Sequence, residues 1–251
     1  MRSDRKLDPL LQPFQLRHLT LRNRLVSTSH EPNYAEDGLP TERYRLYHVE
    51  KAKGGIAMTM IGGSAVVAAD SPPAFGNLKL HDPKIVPLFR HLTEACHAYD
   101  TAVLCQITHL GRRSSNYAGD WLPLVAPSAI REPAHRSFPK AMEDWDIARV
   151  IADYALGATA CREGGLDGIE IEAYGHLFDA FWSPLTNRRE DDWNGTLDKR
   201  LRFACRCWKL SARRSDPISS SASAWRWTKT RKEVWRPLKA SRSPGASPPA
   251  G

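Results

Sequence analysis

A glutamine, a glycine doublet, two glutamates, a tyrosine and three histidines fall at the ends of short apolar runs, where chemistry can be placed. Gln106 interrupts the otherwise apolar stretch 102–108. A buried glutamine must satisfy both amide donors and a carbonyl acceptor. Neighbouring backbone can do this, and so can a flat heteroaromatic ligand with donors and acceptors of its own. Gly62-Gly63 closes another apolar run. Such a doublet either lets a ligand approach the backbone closely or makes a simple turn. Glu170 and Glu172 lie in the stretch GIEIE at 168–172. Glu172, nearer the end, is the better site candidate, and Glu170 is expected to face away from it. Tyr174 and His176 follow, and both side chains can donate protons. His30, His109 and His176 have the chemistry of metal ligands. No His-x-His or paired-carboxylate signature accompanies them. Without such spacing, each reads first as a polar pocket residue.

These residues need a framework that brings strand ends together. Runs 22–29, 55–62, 102–108 and 168–172 read as strands, each short, apolar and bounded by glycine or polar residues. Helical spacing appears between them. The first helix is expected over 41–53, with Thr41 as N-cap. The second is expected over 82–99, and the third over 145–164, ending at Gly164-Gly165. Strand–helix alternation at this spacing predicts α/β architecture with parallel βαβ units. The 251 residues approach the ~250 typical of a complete (β/α)8 barrel, whose chemistry sits at the C-terminal strand ends. Those ends here are 27–30, 62–63, 106–109 and 172–176. The segment 111–143, rich in proline and serine, reads as a long loop.

Composition excludes several classes. The net charge of +8 is concentrated in 211–251, which hold nine Lys/Arg against two acids. Residues 1–210 hold 27 bases against 26 acids, so no broad phosphate-binding face is required and no nucleic-acid partner is expected. No run approaches the ~18 apolar residues of a membrane span. The five cysteines are odd in number and scattered, as in a cytoplasmic protein with reduced thiols.

The stretch 183–203 is more tightly specified than a structural loop needs. It reads Ser183-Pro184, then Asn187-Arg188-Arg189, Asp191-Asp192, Gly195-Thr196-Leu197 and Arg202-Phe203. Upstream stand Leu21-Arg22-Asn23-Arg24, Asp37-Gly38-Leu39-Pro40-Thr41 and Gln106-Ile107-Thr108-His109-Leu110-Gly111-Arg112. In this order the motifs resemble the old yellow enzyme family, the FMN-dependent NAD(P)H:flavin oxidoreductases. The resemblance covers roughly residues 6–209.

The resemblance implies a TIM barrel that binds FMN and a small-molecule substrate. It places Thr28, Ser29 and His30 against the flavin, Gly63 at the ring and Gln106 on its pyrimidine edge. In many relatives the fourth strand ends in two anion-holding polar residues and a proton-donating tyrosine. Here Glu172 replaces the first, and His176 stands where the tyrosine would be. A carboxylate at that point suggests a cationic substrate, as in the amine-demethylating branch. The catalytic candidates are therefore His176, Tyr174 and Glu172. The alternatives are a metal-dependent barrel hydrolase using His30, His109 and His176, and a non-catalytic protein binding through its basic tail.

Family members continue with further strands, flavin-phosphate loops and, in larger relatives, an iron–sulfur cluster and a dinucleotide-binding domain. None of these is recognisable here. Residues 211–251 are basic, rich in Ser and Pro, and lack core periodicity. Tryptophan has a single codon, and with a CGN codon at Arg226 a one-base shift across 225–235 can read as an acidic stretch resembling one that relatives carry. The expectation is therefore the N-terminal half of a barrel over 1–210, followed by an out-of-frame, disordered tail over 211–251, and weak flavin affinity.

Overall fold

A computed structural model describes residues 8–74, 76–114 and 122–215. The chain enters through a hairpin of β1 (Phe14–Leu16) and β2 (Leu19–Leu21), followed by β3 (Val26–Ser27). A second small hairpin, β4 (Ala35–Glu36) and β5 (Leu39–Pro40), leads into α1 (Glu42–Lys53). Then come β6 (Met58–Val66), α2 (Ile85–His97), β7 (Ala102–Thr108) and a short parallel pair, β8 (Val125–Ala126) and β9 (Lys140–Ala141). The remaining elements are α3 (Asp144–Glu163), β10 (Gly168–Ile171), α4 (Leu177–Trp182) and α5 (Leu197–Ser215).

Strands β10, β7, β6 and β3 form one all-parallel sheet in that order. Each neighbour pair is joined through a helix, so the four strands are consecutive βα units, half of an eight-stranded barrel wall. The sheet's two faces differ. Val103, Cys105 and Ile107 of β7 are fully buried in one core with Phe89, Leu92 and Cys96 of α2 and Val150, Tyr154 and Cys161 of α3. Ala102 and Leu104 turn the other way, and pack at the lower end with Met60 and with Leu16, Leu19 and Leu21 of the entry hairpin.

Local signals explain the helix limits. The Thr41 side chain caps α1 by accepting from the Tyr44 amide at 3.3 Å. Helix α3 opens on a capping box between Glu143 and Asp146 and closes at Gly164. Helix α2 starts at Ile85 rather than 82, because Asp82 first makes a turn with Ile85 and accepts from the Lys84 amide.

Other expectations are corrected. The strand expected over 22–29 shrinks to Val26–Ser27, because the side chains of Arg22 and Asn23 bond the carbonyls of Ala52, Ile56 and Gly55. The strand expected to end at 62 continues to Val66 through a register shift between Ile61 and Ala65. Helix α5 carries the fold through Ser215, so 211–215 are not part of a tail. The reading of the tail beyond 215 lies outside the described residues. All five cysteines are free, four of them buried. No helix among the described residues is long and apolar enough to cross a membrane.

Candidate functional site

The face of β7 that turns from the helices changes character along its length. Ala102 and Leu104 are apolar, whereas Gln106 above them is polar and half-buried. The parallel register sets Glu170 of β10 beside Gln106 and Gly168 beside Leu104. Gln106 donates through Nε2 to Glu170 Oε1 at 2.6 Å. Glu170 therefore shares the site face, against the expectation that it points away. Side chains alternate along a strand, so residues two apart lie on the same side. A carboxylate can only accept. The bond thus fixes which way the Gln106 amide faces.

The opposite end of that amide is held by the β6 bulge. Gly62, Gly63 and Ser64 all have positive φ, at 98°, 50° and 77°. This conformation suits glycine and strains serine. It aims the Ser64 amide at Gln106 Oε1, 3.0 Å away. The Ser64 hydroxyl donates to Glu172 Oε2. One strained residue therefore links the glutamine of β7 to the carboxylate at the end of β10.

Glu172 Oε2 lies 3.6 Å from His176 Nδ1, and that nitrogen is 2.9 Å from Thr108 Oγ1. Burial, helped by the charge of Arg113, pushes the His176 imidazole down to about 4, so it is uncharged at neutral pH. Tyr174, between them in sequence, is 83% exposed and stays outside this cluster.

The glycine doublet has a structural use. A Cβ on Gly63 would sit 2.4 Å from the Glu31 amide and 2.8 Å from the His30 carbonyl carbon. The loop after β3, carrying Thr28, Ser29 and His30, is thereby seated against the bulge. Its next residue, Glu31, went unnoticed in the sequence. One carboxyl oxygen accepts from the Asn33 amide at 2.8 Å, and the other is buried with no partner. Burial pushes this carboxyl up to about 7, with the Asn33 bond acting against it.

His109 is spoken for. It is fully buried, its Nδ1 accepts from the Gly111 amide at 3.0 Å, and its Nε2 faces Asp70 Oδ1 at 3.1 Å. A nitrogen that accepts carries no proton, so Nε2 is the donor toward Asp70. Asp70 also pairs with Arg149 of α3; against the effect of burial, His109 and Arg149 hold its carboxyl down at about 2. With both ring nitrogens occupied, His109 cannot serve as the metal ligand considered from sequence. No group of three or more His, Cys, Asp or Glu among the described residues is placed to hold a metal ion.

Three further participants were not legible as such. Ser64 is defined by backbone strain, Glu170 by strand register, and Arg113 by its reach to the β10 end. Only Glu170 carried a usable signal, its two-residue spacing from Glu172.

Comparison with known proteins agrees with this architecture. The chain is 58% identical over 196 residues to a probable N-methylproline demethylase of Rhizobium meliloti, covering 78% of this chain and 29% of that protein. It is 51% identical over 197 residues to a multifunctional alkene reductase/demethylase of Caballeronia cordobensis, with the same coverages. The chain thus spans under a third of the length of these curated relatives. Among solved structures, morphinone reductase in complex with tetrahydroNAD superposes with a TM-score of 0.78 at 23% identity, over 84% of this chain and 62% of that one. An old yellow enzyme from Pichia sp. AKU4542 gives 0.78 at 20% identity, over 82% and 57%. These two likenesses establish the half-barrel fold. The sequence profile of the NADH:flavin oxidoreductase / NADH oxidase family matches residues 9–208, and the chain belongs to that family.

Proposed function

We propose that this chain carries the flavin-facing and substrate-facing wall of an FMN oxidoreductase that demethylates a small cationic N-methyl amine. The observation that carries the reading is Glu172, whose carboxylate is fixed by Ser64 beside an uncharged histidine. Such a pair attracts an ammonium group, where a neutral or anionic substrate would want donors.

The residues fit a flavin ring. With its orientation set by Glu170 and Ser64, Gln106 keeps one N–H and one carbonyl lone pair for a ligand edge that alternates donor and acceptor. Below it the sheet is apolar, as a flat aromatic body requires. Gln106, the Gly63 bulge and the loop of Thr28, Ser29 and His30 would hold the ring. Bound FMN would supply a two-electron acceptor for hydride leaving the N-methyl carbon.

The chain's own residues handle charge. An ammonium has no free lone pair, so oxidation at the adjacent carbon needs the amine deprotonated. That proton leaves to water, and His176, uncharged at neutral pH, adds no positive charge to oppose the cationic amine. Glu172, 3.6 Å from that ring, is the acceptor that would hold the N–H of the amine. Loss of hydride leaves an iminium ion, which water converts to formaldehyde and the demethylated amine.

The four strands of the described sheet would wall only one side of the ring, so flavin affinity should be low. The test is titration of the purified chain with FMN, followed by N-methylproline, watching flavin absorbance. Weak, saturable binding whose spectrum bleaches on adding the amine supports the reading. Tight binding of one FMN per chain would contradict the low affinity, and an FMN-bound chain indifferent to amines would overturn the demethylase assignment.

A further inference from the structure

We infer that Arg113 is the specificity-determining residue of this site and recognises a carboxylate on the substrate, so that the substrate class is the N-methylated α-amino acids. This rests on the amine-demethylating reading above and adds a second point of recognition to it.

Arg113 lies in the loop after β7. That loop is pinned at several points. The Leu110 amide donates to Ser71 Oγ at 2.8 Å, Ser114 Oγ donates to the Pro72 carbonyl at 2.7 Å, and the Arg113 amide donates to the Leu110 carbonyl at 3.1 Å. Gly111 packs against α4, where a Cβ would meet Leu177 Cα at 3.2 Å. The backbone that carries Arg113 therefore has a defined position. A Cβ on Gly175 would be 2.4 Å from one Arg113 terminal nitrogen. Gly175, at φ 72°, is the residue between Tyr174 and His176. Glycine there lets the cation rest on the backbone at the end of β10.

No carboxylate among the described residues pairs with this guanidinium. Its neighbour Arg112 differs, donating to the carbonyls of Ile130 and Arg131 at 3.2 and 3.0 Å. Arg113 is close enough to contribute to the lowered basicity of His176. The end of β10 thus brings together a fixed carboxylate, Glu172, 3.6 Å from His176, and a guanidinium resting against Gly175, the residue before His176. A zwitterion matches that arrangement, with its ammonium toward Glu172 and its carboxylate toward Arg113. A guanidinium presents a planar fork of donors that suits a carboxylate, and such charge-assisted bonds are among the stronger ones.

The experiment compares N-methylproline with N-methylpyrrolidine, the same ring without the carboxylate. Binding of each to the full chain with FMN present is measured by calorimetry, for the wild type and for Arg113→Gln and Arg113→Lys. The wild type should prefer N-methylproline by about 10- to 100-fold, the range expected of one bond between charged groups. Arg113→Gln should abolish that preference by weakening N-methylproline, while N-methylpyrrolidine binding does not fall. Arg113→Lys should recover part of it. An NMR titration of His176 gives a separate check: its midpoint, about 4 in the wild type, should rise in Arg113→Gln. Equal loss of both ligands in Arg113→Gln, or loss of neither, overturns the inference while the demethylase reading stands. A wild type that binds neither amine overturns both.

Discussion

At Ser64 a single backbone amide serves Gln106 and a single hydroxyl serves Glu172. Ser64→Gly would keep the amide, remove the hydroxyl and relieve the positive φ. We expect it to retain flavin affinity and thermal stability while weakening N-methylproline binding by about 10-fold or more, as for one lost bond to a charged group. Parallel flavin and amine titrations measure this, and equal loss of both ligands would count against it. Glu31 offers a pH-dependent case. Its folded-state value, about 7, lies above that of an exposed glutamate. The protonated form therefore stabilises the fold at low pH, and that contribution is lost as pH rises through about 7. Glu31→Gln should match the wild type near about pH 4 and exceed it near about pH 8 by about 1–3 kcal/mol, read from Tm at both pH values. Other groups titrate too, but they are common to both proteins. Gln106 was legible as a polar residue needing partners, and Glu172 as a carboxylate at a strand end. Glu170 was misplaced although its spacing was sufficient, because residues two apart on a strand share a face whatever their distance from the strand end. Ser64 could not be read, since a serine at φ 77° has no mark in the sequence.

The elements that position the site are joined by a few buried contacts. The Tyr154 hydroxyl of α3 accepts from the His109 amide at the end of β7, 2.8 Å away, and both residues are fully buried. Tyr154→Phe keeps the ring and orphans that amide, at an expected cost of about 1–3 kcal/mol in a denaturant melt. Gly63→Ala drives a methyl into the loop after β3 and should destabilise by about 2–4 kcal/mol, with the larger effect on the region 28–31. Hydrogen exchange separates a local from a global response. The helices α1 and α3 were legible because their caps, Thr41 and Gly164, are written in residue type. Helix α4 was not, being only six residues long between two motifs. Helix α5 was obscured because its buried stripe, Phe203, Cys207 and Ser211, contains a serine whose burial no periodicity announces.

At the scale of the whole described unit, the sheet has two unshared edges, the outer sides of β3 and β10. Amides of β7, paired on both sides, should exchange with solvent far more slowly than the outward amides of β10, by about two or more orders of magnitude. Uniform protection across all four strands would mean that something covers the edges. Family membership and the α/β alternation were both readable from motif order and strand spacing, because a βα unit repeats its signature each time. The sheet's open face carries a further consequence. Along β7 it runs from Ala102 and Leu104, packed with the entry hairpin, to Gln106 and then Thr108, bonded to His176. This is a gradient of polarity set at intervals of about 6–7 Å by alternate strand positions. A flat ligand lying on it has one height at which its apolar body and its polar edge are both matched. Sliding either way by one such interval would strand a polar edge on leucine or an apolar ring against hydroxyl and imidazole. For the flavin site proposed above, the wall would therefore act as a depth gauge, fixing how far a ring settles along the sheet.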